Sequence, residues 1–195
     1  MRAIIPILCI SATMLGSCQK NSPEPHEDVA ALKEQFHGKY KIVSATSNIA
    51  VDLNEDGRAT TNLSDEIPML VNSDFEVLVG NSAINNGYIG QLVQFWQRQN
   101  VTRNWNYSSP DSLMVLGFVN QPVPRYFNFN KELTQLLAEQ LPDSSTDNGQ
   151  YPAPESITVA GPEQLLVVTN RLLFVRKVWT PVRITVLYKR YRKTT

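Results

Sequence analysis

The run with the densest chemical potential in the chain is Asp52-Leu53-Asn54-Glu55-Asp56-Gly57-Arg58. Side-chain oxygens at its first, third and fifth positions, a glycine at the sixth and the Arg58 carbonyl at the seventh are how a calcium loop begins, because Ca²⁺ takes six to eight hard oxygen ligands. The twelfth position is Leu63, where a bidentate Glu is required, and the nearest acids, Asp65 and Glu66, come two and three residues late. A short helix in the stretch NLSDEIPML, residues 62–70, would bring one of them back to the loop. The other reading is a polar turn, since Asp and Asn side chains satisfy the backbone of their own turns. Both readings stand at this level, and a structural Ca²⁺ is the one cofactor the sequence offers.

Other chemistry has little to build on. The two histidines are His26, in a proline-containing polar stretch, and His37, where a short helical pattern ends. No H-E-x-x-H, C-x-x-C, G-x-S-x-G or glycine-rich phosphate loop occurs, so the common zinc, redox, serine-hydrolase and nucleotide readings fall away. The expectation is a protein that is not an enzyme. Phe95 and Trp96 in QFWQR, and Trp179, are core residues of a small β domain or the lining of a cavity. Trp105 and Tyr107 stand in the polar stretch NVTRNWNYSSPD, where aromatic side chains suit contact with a protein partner.

Residues 1–18, MRAIIPILCISATMLGSC, place Arg2 before an apolar run and small residues. That layout is a secretory signal, too short for the roughly 20 apolar residues of a membrane-spanning helix. Leu15-Gly16-Ser17-Cys18 resembles the lipobox of bacterial lipoproteins, which implies cleavage before Cys18, an acyl anchor on its sulfur and a place on the outer membrane facing the periplasm or the cell surface. Cleavage leaves 178 residues and one cysteine, so no disulfide supports the fold. The expected organisation is a signal over 1–17, a tether over 18–27 with Pro23 and Pro25, and one domain over 28–195.

The domain must position these groups with strands. Its composition, 42% hydrophobic and 18% charged, suits a globule with a buried core. Val29, Leu32 and Phe36 share one helical face before Gly38. Nine short runs rich in β-branched and aromatic residues follow: YKIVSA, FEVLVG, IGQLVQFW, LMVLGFV, RYFNFN, SITVA, EQLLVVTN, LLFVRKVW and VRITVLYKRY. In the last, Val182, Ile184, Val186 and Tyr188 alternate with Arg183, Thr185, Leu187 and Lys189, a strand with one buried face. Leu133, Leu136, Leu137 and Leu141 share a face after a capping Asn130, which predicts an inserted helix over 131–141. The stretch 142–156, dense in Pro, Ser, Asp and Gly, reads as a mobile loop.

Charge is balanced overall but segregated: residues 171–195 hold eight Lys or Arg and no acid, while 18–170 carry nine basic and 18 acidic residues. Much of this basic excess is the solvent side of the last strand. Elsewhere in the chain there is neither an RNA-binding motif nor a run that interleaves basic with aromatic residues, so no nucleic-acid partner is expected.

The opening helix, the strand Gly38-Lys39-Tyr40-Lys41-Ile42-Val43 and a meander closing on Tyr188-Lys189-Arg190-Tyr191 resemble the lipocalin-like, calycin-type lipoproteins of Bacteroidota, with Tyr40 where the usual opening has Trp. The resemblance implies an up-and-down antiparallel barrel or half-barrel around a small apolar ligand or lipid. Strand patterning alone admits a β-sandwich equally, acting as an interaction module, for instance an accessory subunit or inhibitor of a secreted enzyme.

Overall fold

The computed structural model describes residues 29–84, 87–103, 113–140 and 151–194. Helix α1, Val29–Phe36, buries Leu32 and Phe36, and Gly38 then turns the chain into β1, Gly38–Val51. Gly38 has φ +145°, and a Cβ there would strike the Arg192 carbonyl, so only glycine fits. After β2, Thr60–Asn62, and the single turn α2, Leu63–Glu66, come β3, Asp74–Ile84, β4, Tyr88–Arg103, and β5, Leu113–Phe129. The chain ends with β6, Leu136–Ala138, β7, Ser156–Gly161, β8, Gln164–Val175, and β9, Val178–Arg192.

The sheet order is β6-β5-β4-β3-β1-β9-β8-β7, with β2 paired to β1 off this path. Every pairing is antiparallel. Eight strands in meander order curl until the outer two meet: Gln135 bridges Thr158, and the Val159 N–H donates to the Thr134 carbonyl at 2.8 Å. The result is a nearly closed barrel, not a sandwich. Antiparallel alternation places α1 and the β5–β6 and β7–β8 turns at one end, and the 52–73 segment and the β8–β9 turn at the other.

The wall is built as the alternation predicts. Val182, Ile184, Val186 and Tyr188 are buried while Arg183 and Lys189 are exposed. Phe75, Val77, Leu92, Phe127 and Leu165 meet them inside. At Gly90 the packing leaves no room for a side chain, because a Cβ would lie 2.7 Å from the Phe127 ring. The runs LMVLGFV and RYFNFN are one strand, β5, continuous through Pro122 and Pro124. Pairing of β5 with β6 is confined to Phe127–Phe129. The two prolines therefore sit where the outer edge of β5 has no ladder partner among the described residues and their missing N–H groups cost nothing there.

Two expectations need correction. Of the segment predicted as a helix over 131–141, the described residues 131–140 form a tight turn and then β6. Asn130 does cap, but its Oδ1 takes the N–H groups of Thr134 and Gln135 at 2.8 and 2.9 Å, closing a turn in which Leu133 has φ +54°. The free hydrogen-bonding edge of Phe127–Phe129 then draws Leu136–Ala138 into the sheet, which outweighs a helical leucine spacing. The inserted helix is instead α2, the short helix in 62–70 on which closure of the Asp52 loop depends. In the predicted loop 142–156, Tyr151 and Pro154 are buried against the barrel. Residues 142–150 lie outside the described residues, as do Cys18, Trp105 and Tyr107.

Candidate functional site

At the α1 end the barrel mouth is partly covered, leaving a cleft of about 420 Å³ whose walls include Phe36, Tyr40, Val159, Leu165, Glu163 and Arg190. These residues converge because α1, β1, β7, β8 and β9 all begin or end there. Arg190 organises the cleft. Its Nη1 donates to the carbonyls of Glu34 at 3.0 Å and His37 at 3.3 Å, tying α1 to the last strand, and its Nη2 meets Glu163 Oε1 at 2.9 Å. The Tyr40 hydroxyl donates to the Phe36 carbonyl at 2.6 Å. Burial pushes its pKa up to about 12, against a smaller downward pull from Arg190. An apolar wall with a few fixed polar groups on one rim is the usual make-up of a small-molecule site. His37 is structural: its Nδ1 accepts the Val79 N–H at 3.1 Å, which fixes α1 to β3.

Deeper in the barrel lies a polar cluster that the sequence analysis missed. Arg171 on β8 lies 4.5 Å over the Trp96 ring of β4, and its Nη2 donates to Gln94 Oε1 at 2.9 Å. Gln94 Nε2 in turn donates to the Tyr188 hydroxyl at 3.4 Å. Burial raises the Tyr188 pKa to about 12, with the Gln94 bond and the Arg171 charge pulling the other way. Further along β4, Gln99 exchanges two hydrogen bonds with the Phe174 backbone, at 2.8 and 2.7 Å. The signal was present. Arg171 falls in phase with Leu165, Val167 and Leu173 on the buried parity of β8, where a solvent-facing reading does not hold.

Among the predicted aromatic residues, Trp96 is therefore interior. Phe95 is half-buried on the neighbouring position, paired across the ladder with Pro122. Trp179 is half-buried at the far end and packs on Phe174 with ring centroids 5.3 Å apart. The structure does not bring these three together in the cleft.

The Asp52 loop joins β1 to β2 at the end away from α1. Asp52 Oδ2 accepts the Gly57 N–H at 3.1 Å, Asn54 Oδ1 the Asp56 N–H at 3.0 Å, and Asp56 Oδ1 the Arg58 N–H at 2.8 Å. Arg58 is exposed. The helix α2, capped by Asn62, returns both late acids to the loop. Glu66 is buried and its Oε2 accepts the Leu53 N–H at 2.8 Å. Asp65 holds Asn54 Nδ2 on its carbonyl at 3.1 Å and Asn62 Nδ2 on its carboxylate at 2.9 Å. Asp52 Oδ1 is buried without a hydrogen-bond partner. Among the described residues no group of three or more His, Cys, Asp or Glu is gathered as a metal site.

With this geometry in place, the class of protein is a small antiparallel up-and-down barrel, consistent with a lipocalin-like fold. No protein-family model matches the chain, and no curated protein is significantly similar to it.

Proposed function

We propose that this is a lipid-anchored, non-enzymatic protein of the cell envelope that holds a small apolar ligand or lipid in its barrel. The observation that carries the reading is the cleft of about 420 Å³ at the α1 end, large enough for a small amphiphile and lined by Phe36, Tyr40, Val159 and Leu165. The lipobox match at Cys18 supports an acyl anchor and, with it, an outer-membrane location facing the periplasm or the cell surface.

Titration with a fluorescent fatty acid tests the ligand. The expected result is saturable binding that Val159→Trp, which fills the half-buried β7 side of the cleft, weakens at least about tenfold. Wild-type protein that binds no apolar probe would overturn the reading. Radiolabelled palmitate tests the anchor separately: label should enter the wild-type chain and be absent from Cys18→Ser.

A second reading, an interaction module that docks on a protein partner, is favoured by one observation. Met114, Leu116 and Val119 are exposed along β5, beside an edge that no strand among the described residues covers. Loss of partner capture on Leu116→Lys, with fatty-acid binding unchanged, would select it.

A further inference from the structure

Part of the basic excess of the last 25 residues, Lys189, Arg192 and Lys193, meets lysines of β1 on one face of the barrel. Lys41 on β1 stands directly opposite Lys189 on β9, and Lys39 stands opposite Arg192 one step nearer α1. Lys41, Lys189, Arg192 and Lys193 are all exposed. Like charges directly opposite in an antiparallel ladder repel. Among the described residues no carboxylate lies within 4.0 Å of Lys41 or Lys189.

The nearby acids are engaged elsewhere. Glu76 pairs with Lys39 at 3.8 Å, Glu34 pairs with Lys193, and Asp74, although opposite Lys41 on β3, accepts the Tyr191 hydroxyl at 2.9 Å. Two residues along from each lysine stand exposed groups: Val43, 57% accessible, and Tyr191, 47% accessible. The Lys41 ammonium lies 4.7 Å over the Tyr191 ring. A sheet face that keeps facing lysines unpaired beside an exposed tyrosine sacrifices local stability, which is a mark of a surface kept for binding.

The position of this face in the chain says what it meets. It lies at the α1 end, and α1 begins at Val29, with ten residues between it and Cys18. Ten residues span at most about 35 Å. An acyl chain on Cys18 would thus keep the α1 end within reach of a bilayer, so that the facing lysines can meet its headgroups.

We infer that the outer face of β1 and β9, centred on Lys41, Lys189 and Tyr191, docks on the anionic phosphate surface of the membrane to which the chain is tethered. Lysines near an anionic bilayer are attracted to it, and Tyr suits the interface between headgroup and acyl chain. The cleft beside Arg190 opens at the same end, so docking brings its mouth to the lipid. The docking itself does not depend on whether that cleft takes a ligand.

The test is co-sedimentation of the mature chain, residues 18–195, carrying Cys18→Ser, which removes the acyl contribution, with phosphatidylglycerol–phosphatidylcholine vesicles and with pure phosphatidylcholine vesicles. Binding is expected on the anionic vesicles only, weakened by salt. Lys41→Gln and Lys189→Gln should each reduce it about fivefold. Both variants should melt no lower than the parent, so that lost binding is not lost folding. Arg176→Gln with Lys177→Gln removes two charges from the β8–β9 turn at the opposite end and should leave binding unchanged. A loss on Arg176→Gln with Lys177→Gln equal to that on Lys41→Gln combined with Lys189→Gln would mean attraction by net charge alone and overturn the assignment. So would equal binding to neutral vesicles, no vesicle binding, or binding to an anionic polymer such as heparin in place of vesicles.

Discussion

The Arg171 guanidinium lies 4.5 Å over the Trp96 ring and so joins β8 to β4, two strands that are not neighbours in the sheet. A desolvated contact of this kind contributes about 2 kcal/mol, and here the hydrogen-bonded chain through Gln94 to Tyr188 extends it. Opposite walls of the barrel are thereby held at a set distance. The interior is specified by polar groups as well as by apolar packing.

Trp96→Ala should accordingly cost about 3–5 kcal/mol, the range for deleting a large buried aromatic. Arg171→Ala should cost about 1–3 kcal/mol by leaving Gln94 Oε1 buried without its donor. Urea unfolding of the two single variants and the double variant checks both. Strict additivity in that cycle would contradict the coupling between them.

Alkaline pH should unfold the protein through its buried phenols. Tyr40 and Tyr188 have pKa values pushed up to about 12 by burial, against 10 for an exposed phenol. A folded-state pKa above the unfolded one means the fold favours the neutral form. That contribution is fully present below pH 10 and is lost as pH rises through 12. Tyrosinate absorbance should show two late-titrating groups whose ionisation coincides with loss of the far-ultraviolet circular dichroism signal. Tyr188→Phe should move that unfolding to higher pH.

Gly90→Ala should destabilise the barrel by about 1–3 kcal/mol, as overpacking does. The new Cβ would lie 2.7 Å from Phe127 Cε1 and press on the Leu78 carbonyl. A smaller neighbour relieves the first clash but not the second. Gly90→Ala combined with Phe127→Leu should therefore recover only part of the sum of the two single losses, and thermal melts of the three variants decide it.

The Asp52 loop has a direct readout. Asp52, Asn54 and Asp56 each hold a backbone N–H of the loop itself, and Glu66 is engaged with Leu53. This bonding predicts the same melting temperature in millimolar Ca²⁺ and in EGTA, and a loss of about 1 kcal/mol on Asn54→Ala, comparable to losing a cap. A rise of several degrees with Ca²⁺, abolished by Asp52→Ala and by Asp56→Ala, would show instead that a cation completes the loop.

How much could be read in advance divides along the range of the interactions. Period-2 alternation in VRITVLYKRY identified the buried face of β9, because in a strand the direction of each side chain is a local property. The opening helix was legible for the same reason, as was the proposal that a helix after Asn62 returns an acid to the Asp52 loop. Asn130 shows where local reading fails. A side chain that takes two backbone N–H groups caps a helix or closes a turn equally well, and the choice fell to the unpaired edge of β5.

The sequence by itself determined the β texture, the parity of β9 and the segregation of positive charge into the last 25 residues. Closure of the barrel, the pairing of Arg171 with Trp96, the cleft beside Arg190 and the facing of Lys41 with Lys189 were decided only by the tertiary structure. Each joins residues many tens of positions apart. Their meeting depends on register, bulges and curvature summed over eight strands, and no short stretch of sequence carries that sum.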